Sequence, residues 1–206
     1  MSNRVLFVCT GNICRSPFAE LLARQTVRAL PRRSQASDWQ FASAGIAGLT
    51  GWPMDAHMAA ELRKRGGSAD GFRARRLTSA LAHEADLLLV MSQEHRIFIL
   101  DEWPDLVRRT WLLGQAARSA SQPGVGAPDS AVSGSAASGS ASPGGAWSGG
   151  TDAGAAASVN VVSALRAYPA PPLSSDSIPD PYQRGAAAAA RAAARIENAL
   201  HQVLGA

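Results

Sequence analysis

Four apolar residues, Val5-Leu6-Phe7-Val8, run straight into the loop Cys9-Thr10-Gly11-Asn12-Ile13-Cys14-Arg15, and from there into Ser16-Pro17. A short unbroken apolar run is how a strand buried on both faces reads. Gly11 permits a backbone turn after it. Ser16 suits a helix N-cap and Pro17 a first helical turn. A buried strand feeding a loop and then a helix restricts the chain to an α/β sheet with right-handed crossovers. In such sheets ligands bind at the carboxyl ends of the strands, which is where Cys9 falls.

The rest of the chain repeats this unit. Phe18, Leu21, Leu22 and Val27 keep helical spacing to about Leu30. Trp39 to Ala44 read as a strand closed by Gly45, and a helix runs from Pro53 through Met58, Leu62 and Arg65 to the stop at Gly66-Gly67. Asp86 to Met91 form another buried strand, Gln93 to Glu102 a helix, and Val107 to Leu113 contain a fourth strand. The expected fold is a single α/β domain, a four-stranded parallel sheet with helices on both faces and the loop after its first strand.

From 117 to 158 the chain is mostly Ser, Gly and Ala. Such a segment cannot bury enough apolar area to offset its ordering entropy. It reads as a flexible insertion between an N-terminal part, 1–116, and a C-terminal part, 159–206. The latter holds a short helix at about Asn160 to Arg166, a proline-rich loop from Pro169 to Asp180, and a last helix from about Gly185 to Leu204 with an alanine run at its start.

Composition removes several function classes. Of 206 residues 46% are hydrophobic and 17% charged, which suits one sizeable core. Cys9 and Cys14 are the only cysteines, so a disulfide-stapled fold is excluded. No apolar run reaches the ~18 residues of a membrane span, and the run at Val5 is too short for a signal-peptide core. The expected compartment is the cytoplasm, with reduced thiols. The net charge of +4 comes almost wholly from scattered arginines, Lys64 being the single lysine, and aromatic residues do not interleave with them. Nucleic acid is therefore not an expected partner. His57, His83, His95 and His201 show no metal-ligand spacing, so neither metal nor cofactor is expected.

The first loop offers specific chemistry. Backbone N–H groups of a tight loop converge on an anion, and the following helix adds its N-terminal dipole. Arg15 can fork two donors onto phosphoryl oxygens. A potential that attracts phosphate also favours thiolate over thiol, and a Cys9 thiolate beneath phosphorus is an in-line nucleophile. Ser16 can hydrogen-bond the sulfur. A Walker A loop is excluded, because no Gly-Lys-Ser/Thr follows. The bland alternative is a buried structural cysteine beside a helix start.

Val5 to Glu20, VLFVCTGNICRSPFAE, resembles the opening of the low-molecular-weight protein-tyrosine phosphatases. The resemblance continues through Ser43-Ala44-Gly45, Gly51-Trp52-Pro53, Ala74-Arg75-Arg76-Leu77-Thr78 and Val90-Met91, and resumes at Ile178-Pro179-Asp180-Pro181-Tyr182. It implies Cys9 as nucleophile, Arg15 as phosphate binder and Asp180 as general acid. The phosphate loop it implies is Thr10, Gly11, Asn12, Ile13, Cys14, Arg15 and Ser16. It further implies that Asn12, Ser16 and Ser43 brace that loop, that Trp52 and Tyr182 wall the substrate, and that Cys14 is a redox partner of Cys9. At Phe72 several members carry a histidine that supports the loop asparagine, a bond that phenylalanine cannot donate.

Asp180 also fits on chemical grounds. Expelling a phenolate needs a proton donor and hydrolysing phosphocysteine needs a base, and one carboxyl group can serve both in turn. Pro179 and Pro181 stiffen its loop. Asp176 is the competing carboxylate, and a turn residue before proline is the structural alternative. Packing roles compete at Trp52 and Tyr182, and a small buried filler competes at Cys14.

The expected activity is metal-independent hydrolysis of protein phosphotyrosine through a phosphocysteine. The partner implied by the resemblance is a phosphotyrosine protein, a bacterial tyrosine kinase or one of its substrates. Arginine-phosphate hydrolysis is disfavoured by the apolar Ile13. Arsenate reduction by an internal relay lacks further cysteines after Cys14, which leaves only reduction with an external thiol. A non-catalytic phosphate-binding regulator is the reading from another class.

Overall fold

The computed structural model describes residues 3–30, 39–121 and 170–205. Four strands form one parallel sheet in the order β2-β1-β3-β4. They are β1 (Asn3–Cys9), β2 (Trp39–Gly45), β3 (Leu87–Val90) and β4 (Thr110–Leu112). The helices are α1 (Arg15–Ala29), α2 (Ala56–Lys64), α3 (Ser79–Glu84), α4 (Gln93–Glu102), α5 (Leu113–Ala120) and α6 (Gly185–Leu204).

Side chains alternate across a strand, and both sets here are apolar. Val5, Phe7, Leu87 and Leu89 face a layer built from α1, α2, α5 and α6, where Phe18, Met58, Ala116 and Ile196 pack. Leu6, Val8, Leu88 and Val90 face the other layer with Ala82 of α3, Ile99 of α4 and Leu106. Burying each such large side chain contributes about 1.5–3 kcal/mol. The double-sided burial explains why these strands read as unbroken apolar runs. It also confirms the expected sheet with helices on both faces.

Several boundaries differ from expectation, each for a local reason. Helix α1 begins at Arg15, and its cap position, Cys14, makes no side-chain cap bond. Ser16 is thus inside the first turn and not the N-cap, because its hydroxyl is used in the loop. Helix α2 begins beyond Pro53, where Asp55 accepts from the amides of His57 and Met58. Helix α3, capped by Thr78, had no periodicity long enough to be read. Helix α5 runs to Ala120, so the expected boundary at 117 lies inside a helix. Its alanines have high helix propensity, and Ala116 and Ala117 are buried in the core. The short helix expected at 160–166, and the rest of the 117–158 insertion from 122 onward, lie outside the described residues.

Candidate active site

The parallel pairing of β1 with β2 sets Cys9 opposite Gly45 at the carboxyl edge of the sheet. Gly45 has no alternative there: a Cβ would lie 2.5 Å from the Thr10 carbonyl oxygen and 2.8 Å from the Asn12 nitrogen. The segment after Gly45 then runs behind the loop. The amides of Ile46, Ala47 and Leu49 donate to the carbonyls of Cys9, Thr10 and Gly11, each at 3.0 Å. The amides of Asp55 and Phe18 take the carbonyls of Ile13 and Cys14. In a planar trans peptide the N–H points opposite its C=O. Drawing these carbonyls outward therefore turns the N–H groups of Thr10, Gly11, Asn12, Cys14 and Arg15 inward, into one cup. At the start of α1 the cup also gains the helix dipole.

The sharp turn of the loop is at Asn12, whose φ is 55°, and not at Gly11, which the sequence pointed to. Asparagine tolerates the left-handed region, and here its side chain holds it. Asn12 Nδ2 donates to Ser16 Oγ at 3.0 Å and to Ser43 Oγ at 2.9 Å, while its Oδ1 accepts from the amide of Arg75 at 2.9 Å. The Arg75 amide thus serves the asparagine despite phenylalanine at 72; Phe72 packs against the core.

Cys9 is buried at the floor of the cup, its Sγ 3.0 Å from Ser16 Oγ. Ser16 Oγ also reaches the Ala44 carbonyl at 3.3 Å. Its one proton serves only one of these acceptors at a time. A thiol can donate to Ser16 while Ser16 donates to Ala44; a thiolate draws the hydroxyl proton to itself.

Behind this stands a second set of residues that sequence reading missed. Ser43 Oγ donates to Glu20 Oε2 at 2.6 Å, Glu20 Oε1 pairs with Arg24 at 2.7 Å, and Arg75 Nε donates to the Ser43 carbonyl at 2.7 Å. Burial pushes the Glu20 carboxyl above its usual range, against the pull of the Ser43 bond and the Arg24 and Arg75 charges. Helical spacing held the only clue: Glu20 lies four residues after Ser16, on the same face of α1.

Arg15 is buried on the rim. Its Nη1 donates to the Ile178 carbonyl at 3.0 Å and its Nη2 pairs with Asp180 Oδ2 at 2.8 Å, while its buried Nε has no partner among the described residues. The structure thus brings Asp180, 165 residues further along the chain, against the loop that holds both Cys9 and Arg15. Asp176 is elsewhere, buried in an ion pair with Arg118 at 2.9 Å.

A cavity of about 290 Å³ opens above the cup, walled by Ile13, Ala47, Leu49 and Tyr182 with Cys9 and Asp180 at its base. Trp52, expected on this wall, does not line it; it is 56% exposed, so it is not a core residue either. A polar cleft of about 600 Å³ lies on the other side of the Arg15–Asp180 pair, lined by Ser92, Glu94, His95, Ser177 and Arg195. It shares Thr10, Arg15 and Asp180 with the first but does not reach Cys9. Cys14 is a free buried thiol, held protonated by burial and by the Asp55, Cys9 and Asp180 charges.

His95 bridges Thr10 to α4. Its Nε2 lies 2.9 Å from Thr10 Oγ1 and its Nδ1 2.9 Å from Ser92 Oγ. Burial and then the Arg15 charge lower its pKa to about 4, against weaker opposite pulls from Glu94 and Asp180. A histidine depressed in the folded state favours folding fully above its unfolded pKa of about 6.5 and loses that contribution as pH falls toward 4. We expect this one group to remove up to about 3 kcal/mol of stability over that window. Urea unfolding from pH 7 to pH 4 should show a steeper loss in the wild type than in His95→Gln. Equal slopes would sink the assignment.

Fold and cup define a class: α/β domains with an anion-sized nest between the first strand and the first helix. Residues 4–132 match the profile of the low molecular weight phosphotyrosine protein phosphatases. The chain is 37% identical over 113 residues to the low molecular weight protein-tyrosine-phosphatase Etp of Escherichia coli, covering 55% of this chain and 70% of Etp. It is 37% identical over 115 residues to the probable phosphatase EpsP of Ralstonia solanacearum, covering 56% and 73%. Among solved structures, the tyrosine phosphatase Wzb from Escherichia coli, in complex with sulphate, superposes with a TM-score of 0.63 at 24% identity, over 100% of this chain and 98% of Wzb. The YwlE arginine phosphatase of Geobacillus stearothermophilus superposes at 0.64 and 20% identity, over 98% and 91%. At these identities the structures speak to the fold.

The chain belongs to the low molecular weight phosphotyrosine protein phosphatase family, and with it to the phosphatases. Among the described residues no helix is long and apolar enough to cross a membrane.

Proposed function

We propose that the chain hydrolyses protein phosphotyrosine through a phosphocysteine, without a metal. The observation that carries this reading is one cavity lined by Cys9, Arg15 and Asp180 together with the apolar Ile13 and Leu49 and the ring of Tyr182. The Cys9 sulfur lies at the floor of an amide-lined cup, Arg15 and Asp180 stand on its rim, and an apolar cavity rises above.

In the first step the Cys9 thiolate attacks phosphorus. The loop amides and the Arg15 guanidinium, whose Nε has no partner among the described residues, stabilise the equatorial oxygens. Ser16 Oγ donates to the sulfur, favouring its departure in the second step. Asp180 protonates the phenolic oxygen as the bond to phosphorus breaks, then takes a proton from the water that frees phosphate from Cys9. The family profile ends before residue 180, so Asp180 rests on geometry: its carboxylate shares the cup's rim with Arg15 and lines the cavity that holds the sulfur. The Cys14 thiol would trap a Cys9 sulfenic acid as a disulfide with loss of water, and both thiols are free and buried. The partner is a protein that carries phosphotyrosine.

Ile13, Leu49 and Tyr182 favour an aryl ring over a guanidinium or a short alkyl ester. Burying a phenyl ring is worth about 2–3 kcal/mol, roughly 10²-fold in kcat/KM. Phosphotyrosine, phosphoserine and phosphoarginine peptides, assayed in EDTA, should show turnover of the first with about that preference. Equal rates on phosphoserine, faster phosphoarginine cleavage, or loss of activity in EDTA would overturn the reading.

A further inference from the structure

We propose that the ion pair of buried Asp176 with half-buried Arg118 is a positioning device for the loop that carries Asp180, setting where that carboxylate stands against Arg15. This rests on the reading of Asp180 as proton donor. Asp176 and Arg118 touch neither substrate nor sulfur; they act through the backbone between them and Asp180.

Helix α5 ends at Ala120, and the described chain resumes at Ala170 with the acid loop only a few residues on. The described ties that place Asp180 run from this resumed segment to α5, α6 and the end of β3.

Those ties are present and specific. Arg118 grips Asp176 with two donors, Nε to Oδ1 at 3.3 Å and Nη2 to Oδ2 at 2.9 Å, a forked geometry suited to carboxylate. The same Nη2 donates to the Pro171 carbonyl at 2.8 Å, and Asp176 Oδ2 accepts from the Leu173 amide at 2.7 Å. Gln115 Nε2 donates to the Ala170 carbonyl at 2.6 Å, and Arg195 of α6 donates to the Ser175 carbonyl at 2.6 Å. Gly114 lets the loop settle onto α5: a Cβ there would stand 2.6 Å from the Asp176 carbonyl oxygen and 2.8 Å from its Cα.

The next residues are tied to the sheet edge. The Ile178 amide donates to the Met91 carbonyl at 2.7 Å, and the Gln93 amide donates to Ser177 Oγ at 3.3 Å. Beyond them Pro179 and Pro181 fix φ on either side of Asp180. The chain from 176 to 181 is thus short, stiff and anchored at its start, so a shift at Asp176 is carried to Asp180. The carboxylate is 5% exposed. Removing Arg118 leaves it buried without its ion partner, and the loop must move to rehydrate it.

The test separates positioning from general weakening by varying the leaving group. Phenol is a poor leaving group that needs a proton, whereas para-nitrophenol needs little help. In Arg118→Ala and in Asp176→Asn, kcat/KM for phenyl phosphate should fall about tenfold while kcat/KM for para-nitrophenyl phosphate stays within about twofold, with inhibition by phosphate unchanged. Amide exchange should quicken in 173–182 and not in the loop 9–16. Gly114→Ala, which pushes the loop from the α5 side, should give the same signature and serves if Asp176→Asn does not fold.

An equal fall on both substrates, or no change on either in a folded variant, overturns the proposal. If the wild type turns over no aryl phosphate, the functional reading itself has failed and the proposal falls with it. An active wild type whose variants keep the wild-type ratio of the two substrates refutes the positioning role alone.

Discussion

Cys9→Ser is expected to bind phosphate about as well as the wild type and to hydrolyse aryl phosphates at least about 10⁴-fold more slowly. The cup that holds the anion is built from backbone N–H groups and Arg15, and neither changes with the substitution. A serine hydroxyl is far less nucleophilic than a thiolate, and nothing in the site is positioned to deprotonate it. Ser16, the nearest hydroxyl at 3.0 Å from Sγ, is itself bonded to Asn12 and Ala44. The two measurements are turnover of para-nitrophenyl phosphate and titration with phosphate or vanadate followed by thermal shift. A Cys9→Ser protein that kept wild-type turnover would dismiss the covalent scheme. One that lost anion binding along with turnover would show that Cys9 shapes the cup as well as attacking from it.

Asp180→Asn should lower kcat/KM for phenyl phosphate by about 10²–10⁴-fold and that for para-nitrophenyl phosphate by much less. Asparagine matches aspartate in size but cannot deliver a proton to the departing phenolate. Asp180 lies with its side chain 42% exposed and its Oδ2 on Arg15 Nη2, so asparagine fits without burying a new unpartnered group. Equal losses of kcat/KM on both esters would place Asp180 among the residues that hold Arg15 and remove it from protonation of the leaving group.

The site was legible in unequal parts. The stretch from Val5 to Ser16 lies within one strand, one turn and one helix start, so its chemistry could be read from neighbours in sequence. Ser43 and Asp180 were reachable only through resemblance. Glu20, Arg24, Arg75 and His95 were missed because each acts across the sheet or between helices. A buried carboxylate on α1 looks like any helix surface residue until Ser43 is placed against it. Trp52 was misplaced for the converse reason: a bulky aromatic beside the pocket's sequence suggests a wall, yet its ring is turned to solvent.

The choice between the two carboxylates of the acid loop shows the same division. Sequence offered both Asp176 and Asp180, and the family's Asp-Pro-aromatic pattern, which the resemblance supplied, favoured the second. The structure puts Asp176 in the grip of Arg118 and Asp180 against Arg15. Helix α5 was lost because an alanine-rich helix shades into the Ser/Gly/Ala stretch by composition, and only its packing in the core shows where it ends.

What the amino-acid order determined alone is local. Apolar runs made strands with two buried faces, and a strand–loop–helix unit placed a thiol and a guanidinium at one strand end. The relations between distant segments were decided by tertiary structure alone. The pull of Ile46, Ala47 and Leu49 on the loop carbonyls aims its amides inward, Arg75 takes over the support of Asn12, and Arg118 anchors the acid loop. Hydrogen bonds and ion pairs act over a few ångströms with defined direction, so pairs far apart in sequence acquire meaning only once the sheet has set their separation.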